Sequence, residues 1–325
     1  MRIPSSLRDL GIDDLRAWSI PMTTRFRRIT ERDGLLLHGP AGWAEFSPFW
    51  DYEPGESAAW LRAALADATA ERPLPLREEV EVNVTIPVVP PVLAHRLARV
   101  GGARTAKIKV ADPGSTLEED AARLEAVRDA MGPSARLRID ANAAWTLEEA
   151  LAALPLLDRA AGGLEYAEQP CAQLEDLAAL RRALDIPIAA DESVRRAEDP
   201  LRVARAEAAD VLVMKVQPLG GVRRCLDLAE QAGLPVVVSS ALESSVGLSA
   251  GLALAAALPE LPYACGLGTA TLLTGDLVEQ PLHASGGMLP VGRREPAPEL
   301  LERHAAGAEL SSRWEERLGA CAALL

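Results

Sequence analysis

The fold is decided by residues 136–170, RLRIDANAAWTLEEALAALPLLDRAAGGLEYAEQP. Two short strand-like runs, 136–140 and 164–168, flank a segment that is rich in Ala, Leu and Glu. Thr146 stands three residues before Glu149, the spacing of a capping pair at a helix start. The stretch therefore predicts a strand, a helix and a second strand, which is the repeating unit of a parallel β/α protein.

The same unit recurs along the chain from residue 81 onward. Strand-like runs lie at residues 82–86, 106–110, 136–140, 164–168, 186–190, 211–215, 235–239 and 262–266. Thr116 and Glu119 repeat the capping pair after the second run. Eight such units predict an α/β fold of the (β/α)8 TIM-barrel type. The alternative is an open doubly wound sheet, but its usual glycine-rich loop, GxGxxG or GxxxxGK[ST], is missing, so the barrel is favoured.

The two ends of the chain differ from this repeating part. Residues 1–80 predict a small α+β capping domain in which aromatic side chains are concentrated. These are Trp43, Phe46, Phe49, Trp50 and Tyr52. We expect residues 81–285 to form the catalytic barrel and residues 286–325 to pack back on the capping domain. No low-complexity linker separates these parts, so we expect the capping domain to dock tightly.

Composition and charge exclude several classes of function. The chain has 325 residues, of which 49% are hydrophobic and 25% charged, as in folded globular domains. Its formal net charge of -13 would repel nucleic acid and anionic lipid, so we expect a small-molecule carboxylate substrate rather than either of these partners. Four separated cysteines indicate reduced thiols, and the N-terminal residues lack an apolar signal segment, so we expect a cytoplasmic protein.

Three acidic residues end three consecutive predicted strands. These are Asp140, Glu168 and Asp191. The C-terminal strand ends of a barrel converge on one face, and burying three carboxylates there without a cation is strongly unfavourable. Carboxylate oxygens suit Mg²⁺, for which Mn²⁺ can substitute, and no His or Cys stands nearby to favour zinc. A single acidic residue at a loop start is common, whereas three in a row indicate a metal site.

Lysine is rare in this chain, and its positions are informative. Lys107, Lys109 and Lys215 are the only lysines among 34 basic residues, and all three stand near predicted strand ends. Arginine serves equally well for a surface charge, but it does not release its proton in a protein, whereas lysine does. Lys107 and Lys109 share one face of a strand, so we expect each to lower the pKa of the other. The pattern indicates proton transfer. Codon bias toward arginine is the alternative reason for so few lysines.

The polar strand ends match the pattern of a known family. They are Lys107-Ile108-Lys109, Asp140-Ala141-Asn142, Glu168-Gln169-Pro170, Asp191-Glu192-Ser193 and Met214-Lys215. Over residues 80–285 this layout resembles the enolase superfamily, in which a Lys or His base works with Mg²⁺ to stabilise an enediolate. Lysines on the second and sixth strands, with no His at the seventh, resemble its muconate-lactonising branch.

Within that branch, SSALESS at residues 239–245 and GLGT at residues 266–269 resemble the o-succinylbenzoate synthase family. The stretch GWAEFSPF at residues 42–49 resembles the capping domain of its actinobacterial members. Dipeptide epimerases of the same branch carry an Asp-x-Asp pair at the eighth strand, which this sequence lacks.

The resemblance implies a lyase that catalyses a syn dehydration of 2-succinyl-6-hydroxy-2,4-cyclohexadiene-1-carboxylate, a step toward menaquinone. It implies that Lys109 is the base, that Lys215 contributes positive charge from the opposite face, and that Lys107 completes the catalytic set. The metal ligands implied are Asp140, Glu168 and Asp191. The residues implied beside the metal or substrate are Asn142, Ser240, Leu242 and Gly266.

Two other readings compete with this one. An N-succinylamino acid racemase, or another enzyme of the same branch, also needs lysines on both faces of the substrate, and the chain has both. The second is a barrel that has lost catalysis and serves as a binding or scaffold protein, but such a protein would not need five charged strand ends. Arg25 and Arg27, in the predicted capping loop, are candidates for binding a succinyl carboxylate, although loop arginines are more often simply solvated.

Overall fold

The structure is a computed structural model that describes residues 1–196 and 199–325. Its strands are β1 (Asp14–Phe26), β2 (Ile29–Gly39), β3 (Gly42–Phe46), β4 (Glu79–Glu81), β5 (Val84–Ile86), β6 (Thr105–Lys109), β7 (Arg136–Asp140), β8 (Leu164–Glu168), β9 (Ile188–Ala190), β10 (Val211–Met214), β11 (Val236–Val238) and β12 (Met288–Pro290). Its helices are α1 (Ser5–Asp9), α2 (Pro54–Thr69), α3 (Pro91–Leu97), α4 (Leu117–Met131), α5 (Leu147–Ala161), α6 (Leu174–Ala183), α7 (Glu192–Arg195), α8 (Arg202–Arg205), α9 (Val222–Ala232), α10 (Ser245–Ala257), α11 (Pro298–Arg303) and α12 (Ala308–Ala322). Short 3-10 helices cover Val100–Gly102 and Ala270–Leu272.

The N-terminal residues build an antiparallel sheet in the order β1-β2-β3. Three tryptophans from β1, α2 and α12 share one apolar cluster beside this sheet, and each is almost completely buried. They are Trp18, Trp60 and Trp314. The cluster also includes Ala241 and Leu242, which follow β11. The apolar core of the N-terminal sheet therefore reaches the loops at one end of the second sheet.

The second sheet is parallel and runs in the order β5-β6-β7-β8-β9-β10-β11. Each strand pairs with its successor in the chain, which is the arrangement of a β/α barrel. The strands predicted at residues 136–140 and 164–168 coincide with β7 and β8. The predicted α/β barrel class with an α+β cap is confirmed, and the strands of the cap are antiparallel.

The eighth predicted strand, at residues 262–266, is wrong as a regular strand. In the described residues this segment forms two isolated parallel bridges, Val82 with Cys265 and Ser239 with Gly266. The hydrogen bonds run from Cys265 N to Glu81 O (2.7 Å), Asn83 N to Cys265 O (2.9 Å), Gly266 N to Val238 O (2.8 Å) and Ser240 N to Gly266 O (3.0 Å). Pro262 cannot donate to a ladder, which shortens the pairing. The sheet is therefore bridged from β5 to β11 through two residues.

The two predicted capping pairs are confirmed at the starts of α4 and α5. Thr116 and Thr146 each accept a hydrogen bond from the backbone N–H of the glutamate three residues later, whose side chain binds back to the threonine N–H. These capping boxes fix where α4 and α5 begin, shortly after β6 and β7, whose C-terminal ends are direct neighbours in the sheet. In residues 1–196 and 199–325, no helix is long and apolar enough to cross a membrane.

Candidate active site

Five charged side chains lie at the C-terminal ends of adjacent strands. Lys109 ends β6, Asp140 ends β7 and Glu168 ends β8, and these three residues are direct neighbours across the sheet. Asp191 follows β9 and Lys215 follows β10. Parallel strands place these ends on one face, so the sequence positions predicted for the site do come together in space.

The three lysines bind the three carboxylates directly. Lys107 Nζ lies 3.0 Å from both carboxylate oxygens of Glu168 and 3.3 Å from Asp140 Oδ2. Lys109 Nζ lies 2.5 Å from the same Asp140 oxygen. Lys215 Nζ lies 2.5 Å from Asp191 Oδ2. All three carboxylates are buried, with exposed fractions of at most 1%. The cluster is therefore a compact ionic network shielded from solvent.

The electrostatics of this network correct one expectation. Burial acts to lower the pKa of Lys107, but Glu168 and Asp140 outweigh it and raise that pKa above its ordinary value. The expected lowering by Lys109 is therefore wrong for Lys107, because two carboxylates lie closer to its ammonium group than sequence spacing revealed. Burial together with repulsion from Asp140 raises the pKa of Glu168 to about 8. Although burial acts in the opposite direction, the charges of Lys109 and Lys107 hold the pKa of Asp140 well below its usual range.

Lys215 has a different environment from Lys107. Burial, with further repulsion from Arg195 and Lys107, lowers the pKa of Lys215 in spite of its bond to Asp191. A lysine with a lowered pKa is closer to the range in which it exchanges a proton at neutral pH. Lys107 and Lys215 therefore differ in how readily they exchange a proton, because the pKa of Lys107 is raised and that of Lys215 is lowered.

Arg195 was missed by the sequence analysis. Its Nε donates to Asp191 Oδ1 at 2.8 Å, on the oxygen that Lys215 does not bind. Its other nitrogens bind Glu192 and the hydroxyl group of Tyr52, which comes from the N-terminal part of the chain. The four-residue spacing from Asp191 to Arg195 on one helical turn is the signal that would have found it.

Asn142 contacts two of the other predicted site residues. Its Oδ1 accepts from Lys109 Nζ at 2.6 Å, and its backbone N–H donates to Asp140 Oδ1 at 3.0 Å. Its φ of 47° falls in the left-handed region, which asparagine tolerates better than most residues. The strained backbone brings this amide against Lys109 and fixes the ammonium group.

A small cavity of about 40 Å³ lies over the lysines. One wall is formed by Ser239, Ser240, Ala241, Leu242, Gly266 and Thr269. Ser240 Oγ lies 2.7 Å from Thr269 Oγ1. A Cβ on Gly266 would stand 2.5 Å from Ser239 Oγ, so any side chain at this position would require Ser239 to move. The predicted residues Ser240, Leu242 and Gly266 therefore lie on one wall of the cavity that the lysine side chains also line.

The N-terminal part of the chain covers this cavity with Phe26, Arg27 and Phe49. Arg27 Cζ lies 4.3 Å from the centre of the Phe49 ring, and Lys109 Nζ lies 5.4 Å from that of Phe26. A second, larger cavity of about 510 Å³ adjoins it and contains Arg27 and Asn142 on its lining. Of the two candidate arginines, Arg27 lines both the small cavity and a neighbouring cavity beside Lys109, whereas Arg25 lines only the neighbouring one.

The strand-end carboxylates have the chemistry of metal ligands. In residues 1–196 and 199–325, no three Asp, Glu, His or Cys side chains gather closely enough to hold a metal as they stand. Each of the three strand-end carboxylates is instead bound by a lysine ammonium group. The donor set nevertheless suits a hard divalent cation: it consists of carboxylate oxygens at the ends of neighbouring strands. Repulsion among Glu168, Asp140 and Asp191 contributes to the raised pKa of Glu168, and a cation would relieve that repulsion.

Comparison with known proteins agrees with this geometry. Residues 92–296 match the family model for an enolase C-terminal domain-like region, and residues 17–68 match that for an enolase N-terminal domain-like region. A mandelate racemase/muconate lactonizing family protein from Azoarcus sp. EbN1 superposes with a TM-score of 0.75 at 22% identity, over 92% of this chain and 98% of that one.

Two curated relatives are similar over almost their whole length. The o-succinylbenzoate synthase of Thermobifida fusca is 55% identical, with 95% of this chain and 96% of that protein covered. The o-succinylbenzoate synthase of Mycolicibacterium smegmatis is 51% identical, with 97% of each chain covered. This chain belongs to the enolase superfamily and, within it, to the o-succinylbenzoate synthase family.

Proposed function

We propose that the protein is an o-succinylbenzoate synthase that removes water from 2-succinyl-6-hydroxy-2,4-cyclohexadiene-1-carboxylate to give o-succinylbenzoate. The observation that carries this proposal is the 55% identity to a curated o-succinylbenzoate synthase over 95% of the chain. The strand-end network supports it, because the proposed reaction needs a base and a site for developing negative charge. Side chains suited to both needs lie within one buried cluster of lysines and carboxylates.

Enzymes of this superfamily generally use a divalent metal, and we propose Mg²⁺, with Mn²⁺ as a substitute. The residues that would hold it are Asp140, Glu168 and Asp191. When bound there, such a cation would supply positive charge to the substrate carboxylate and to the enediolate that develops from it. Asn142 and Arg195 support this role, because each binds one of the proposed ligands and so fixes the orientation of its carboxylate.

Lys109 is proposed as the base. In its neutral form, its Nζ takes the proton from the ring carbon that carries the carboxylate, and the electrons of the broken C–H bond move into the enediolate. When the C–O bond of the neighbouring hydroxyl breaks, Lys109 returns the proton and water leaves. One base on one face accounts for a syn elimination. Hydrogen bonds to Asp140 and Asn142 hold Lys109 Nζ in place for both transfers.

Lys215 and Lys107 are proposed as electrostatic residues. Lys215 is buried beside Asp191 and contributes positive charge where the enediolate develops. Lys107 remains bound to Glu168, and its raised pKa keeps it charged at neutral pH, so it is suited to a fixed charge rather than to proton exchange. Ser240, Leu242 and Gly266 are proposed to contact the substrate, because they form the cavity wall beside the lysines.

We also propose a division of the chain into a capping unit and a catalytic unit. Residues 1–80 with residues 286–325 form the cap, and residues 81–285 form the barrel. The apolar cluster that joins β1, α2 and α12 supports this division. A cytoplasmic location is proposed as well, supported by four buried free thiols, Cys171, Cys225, Cys265 and Cys321.

Product analysis tests the function. The purified protein is incubated with the cyclohexadiene substrate and, separately, with an N-succinylamino acid, each with Mg²⁺, with EDTA, and with EDTA followed by excess Mn²⁺. We expect o-succinylbenzoate only where a divalent metal is available. Racemisation is the second candidate activity, favoured by two of the three lysines that line the cavity, Lys109 and Lys215. Racemisation without dehydration would replace the proposed function by this second one.

A further inference from the structure

The cavity wall at residues 239–242 is held from behind by an arginine of the N-terminal sheet. Arg32 lies on β2 and is only 2% exposed. Its Nε donates to Leu242 O at 3.1 Å, and its Nη2 donates to Ala241 O at 3.2 Å. The remaining acceptors are the carbonyl oxygens of Ser47 and Asp33. The guanidinium group thus joins the N-terminal sheet to two consecutive peptide groups of the cavity wall.

The wall needs such support because its backbone is strained. Leu242 has a φ of 62°, in the left-handed region that a branched L side chain rarely adopts. In a trans peptide the C=O and N–H groups point in opposite directions. Binding the carbonyl of Ala241 therefore turns the N–H of Leu242 away from Arg32, and this N–H lies 3.4 Å from Ser240 Oγ in the cavity wall.

The surroundings of Arg32 hold its guanidinium group in one orientation. The ring of Phe49 lies 4.5 Å from Arg32 Cζ, and Phe49 also lines the cavity. Glu45 and Glu243 are buried nearby and partly compensate its charge, against the cost of burial. The planar guanidinium group spans four carbonyls in a fixed geometry that a compact ammonium group does not reproduce, so lysine is not an equivalent replacement. Through these contacts Arg32 links β2 to the ring of Phe49 and to the cavity wall at residues 239–242.

We propose that Arg32 is a positioning residue for the reaction, which fixes the backbone of Ala241 and Leu242 and thereby the wall against which the substrate is seated. The proposal rests on the proposed dehydration. Arg32 itself donates to carbonyl groups of the protein and not to the reacting atoms. Its loss should therefore weaken binding of substrate and product, whereas metal binding should not change.

Three variants test this proposal. Arg32→Met removes all the donors, and Arg32→Lys keeps the charge without the fork. Arg128→Met is the matched control, since Arg128 also donates to four backbone carbonyls, those of Ala161, Gly132, Pro133 and Ala135, at the opposite end of the barrel. For each we would measure kcat, KM, the Kd of o-succinylbenzoate and the Kd of Mg²⁺ by calorimetry, well below the unfolding temperature of the variant.

We expect kcat/KM of Arg32→Met to fall by on the order of 10²-fold, the cost of a small misplacement in a site, mainly through KM and product Kd. Arg32→Lys should lie between wild type and Arg32→Met, and Arg128→Met should match wild type. Full activity in either Arg32 variant would overturn the proposal, as would a loss of the same size in Arg128→Met.

A crystal structure of Arg32→Met separates this proposal from the proposed function. We expect the 239–242 backbone to shift and Leu242 to leave positive φ. An unchanged wall would overturn the proposal even if the wild type is an active dehydratase. Conversely, a wild type without dehydratase activity would overturn the proposed function, while a displaced wall would still show that Arg32 positions it.

Discussion

The ammonium group of Lys107 lies 3.0 Å from each carboxylate oxygen of Glu168, and both side chains are buried. The raised pKa of Lys107 keeps this group charged, and its position close to both oxygens offsets part of the repulsion that Asp140 and Asp191 exert on Glu168. The pair therefore contributes to folding as well as to the site.

Lys107→Met should destabilise the metal-free protein by roughly 3–5 kcal/mol, because it leaves a buried carboxylate without a partner. Excess Mg²⁺ should restore more stability to this variant than to wild type, since the cation would supply the missing positive charge. Denaturant unfolding with and without Mg²⁺ measures both effects. Arg136→Met is the control: Arg136 is exposed and its partner Glu165 keeps a second ion pair with Arg138, so the loss should be at most about 1 kcal/mol. Equal shifts in the two variants would contradict the role assigned to Lys107.

Asp191→Asn should weaken metal affinity and turnover together while the protein remains folded, because a neutral amide does not replace an anionic ligand. Calorimetric titration with Mg²⁺ and steady-state kinetics provide the two readouts. Asp185→Asn is a suitable control, because Asp185 is exposed and precedes the same strand, β9. Metal binding that is unchanged in Asp191→Asn would remove this residue from the proposed ligand set.

Lys109→Arg should lose on the order of 10² to 10⁴ in rate, the usual contribution of a positioned base. The guanidinium group stays protonated at any workable pH, with a pKa above about 12. Lys215→Arg keeps a positive charge beside Asp191, so its loss in dehydration should be smaller than its loss in any racemisation, where Lys215 must exchange a proton. The measurement is the rate of dehydration and the rate of racemisation in Lys109→Arg and in Lys215→Arg. An active Lys109→Arg enzyme would show that Lys109 is not the base.

Glu45→Gln should make stability less dependent on pH. Burial and the neighbouring Glu243 raise the pKa of Glu45 from 4.5 to about 7. Because the folded-state value is the higher one, the stabilisation is complete below about pH 4.5 and is lost as the pH rises through 7. We expect wild type to lose on the order of 1–3 kcal/mol between pH 5 and pH 8 by this effect.

The neutral amide of Glu45→Gln lacks that titration, so its unfolding free energy should fall less over the same interval. Guanidinium unfolding at a series of pH values provides the measurement. Glu316→Gln, an exposed position on α12, serves as the control and should follow the wild-type curve. If Glu45→Gln follows that curve too, Glu45 is not the titrating group.

The sequence was informative where local pattern and site position coincide. Asp140 and Glu168 could be placed because each ends a strand whose neighbours are known from the order of the chain. Arg32 could not be found in this way, since its partner Leu242 lies 210 residues away and no local pattern links them. The ionic pairing of Lys107 with Glu168 was also out of reach, because the register between β6 and β8 depends on β7. The failure at residues 262–266 shows that a barrel needs a closing segment but not a full strand.

That closing segment also has a consequence for how the molecule opens. Between β5 and β11, Cys265 and Gly266 supply four backbone hydrogen bonds, where other neighbouring strands are joined by ladders. Such a short junction is where amide hydrogens of the barrel should first exchange with solvent. Because Gly266 and Ser240 also line the cavity, a ligand seated there would brace the junction and slow that exchange. Ligand binding and the resistance of the barrel to local opening are thus linked through the peptide groups of Ser240 and Gly266.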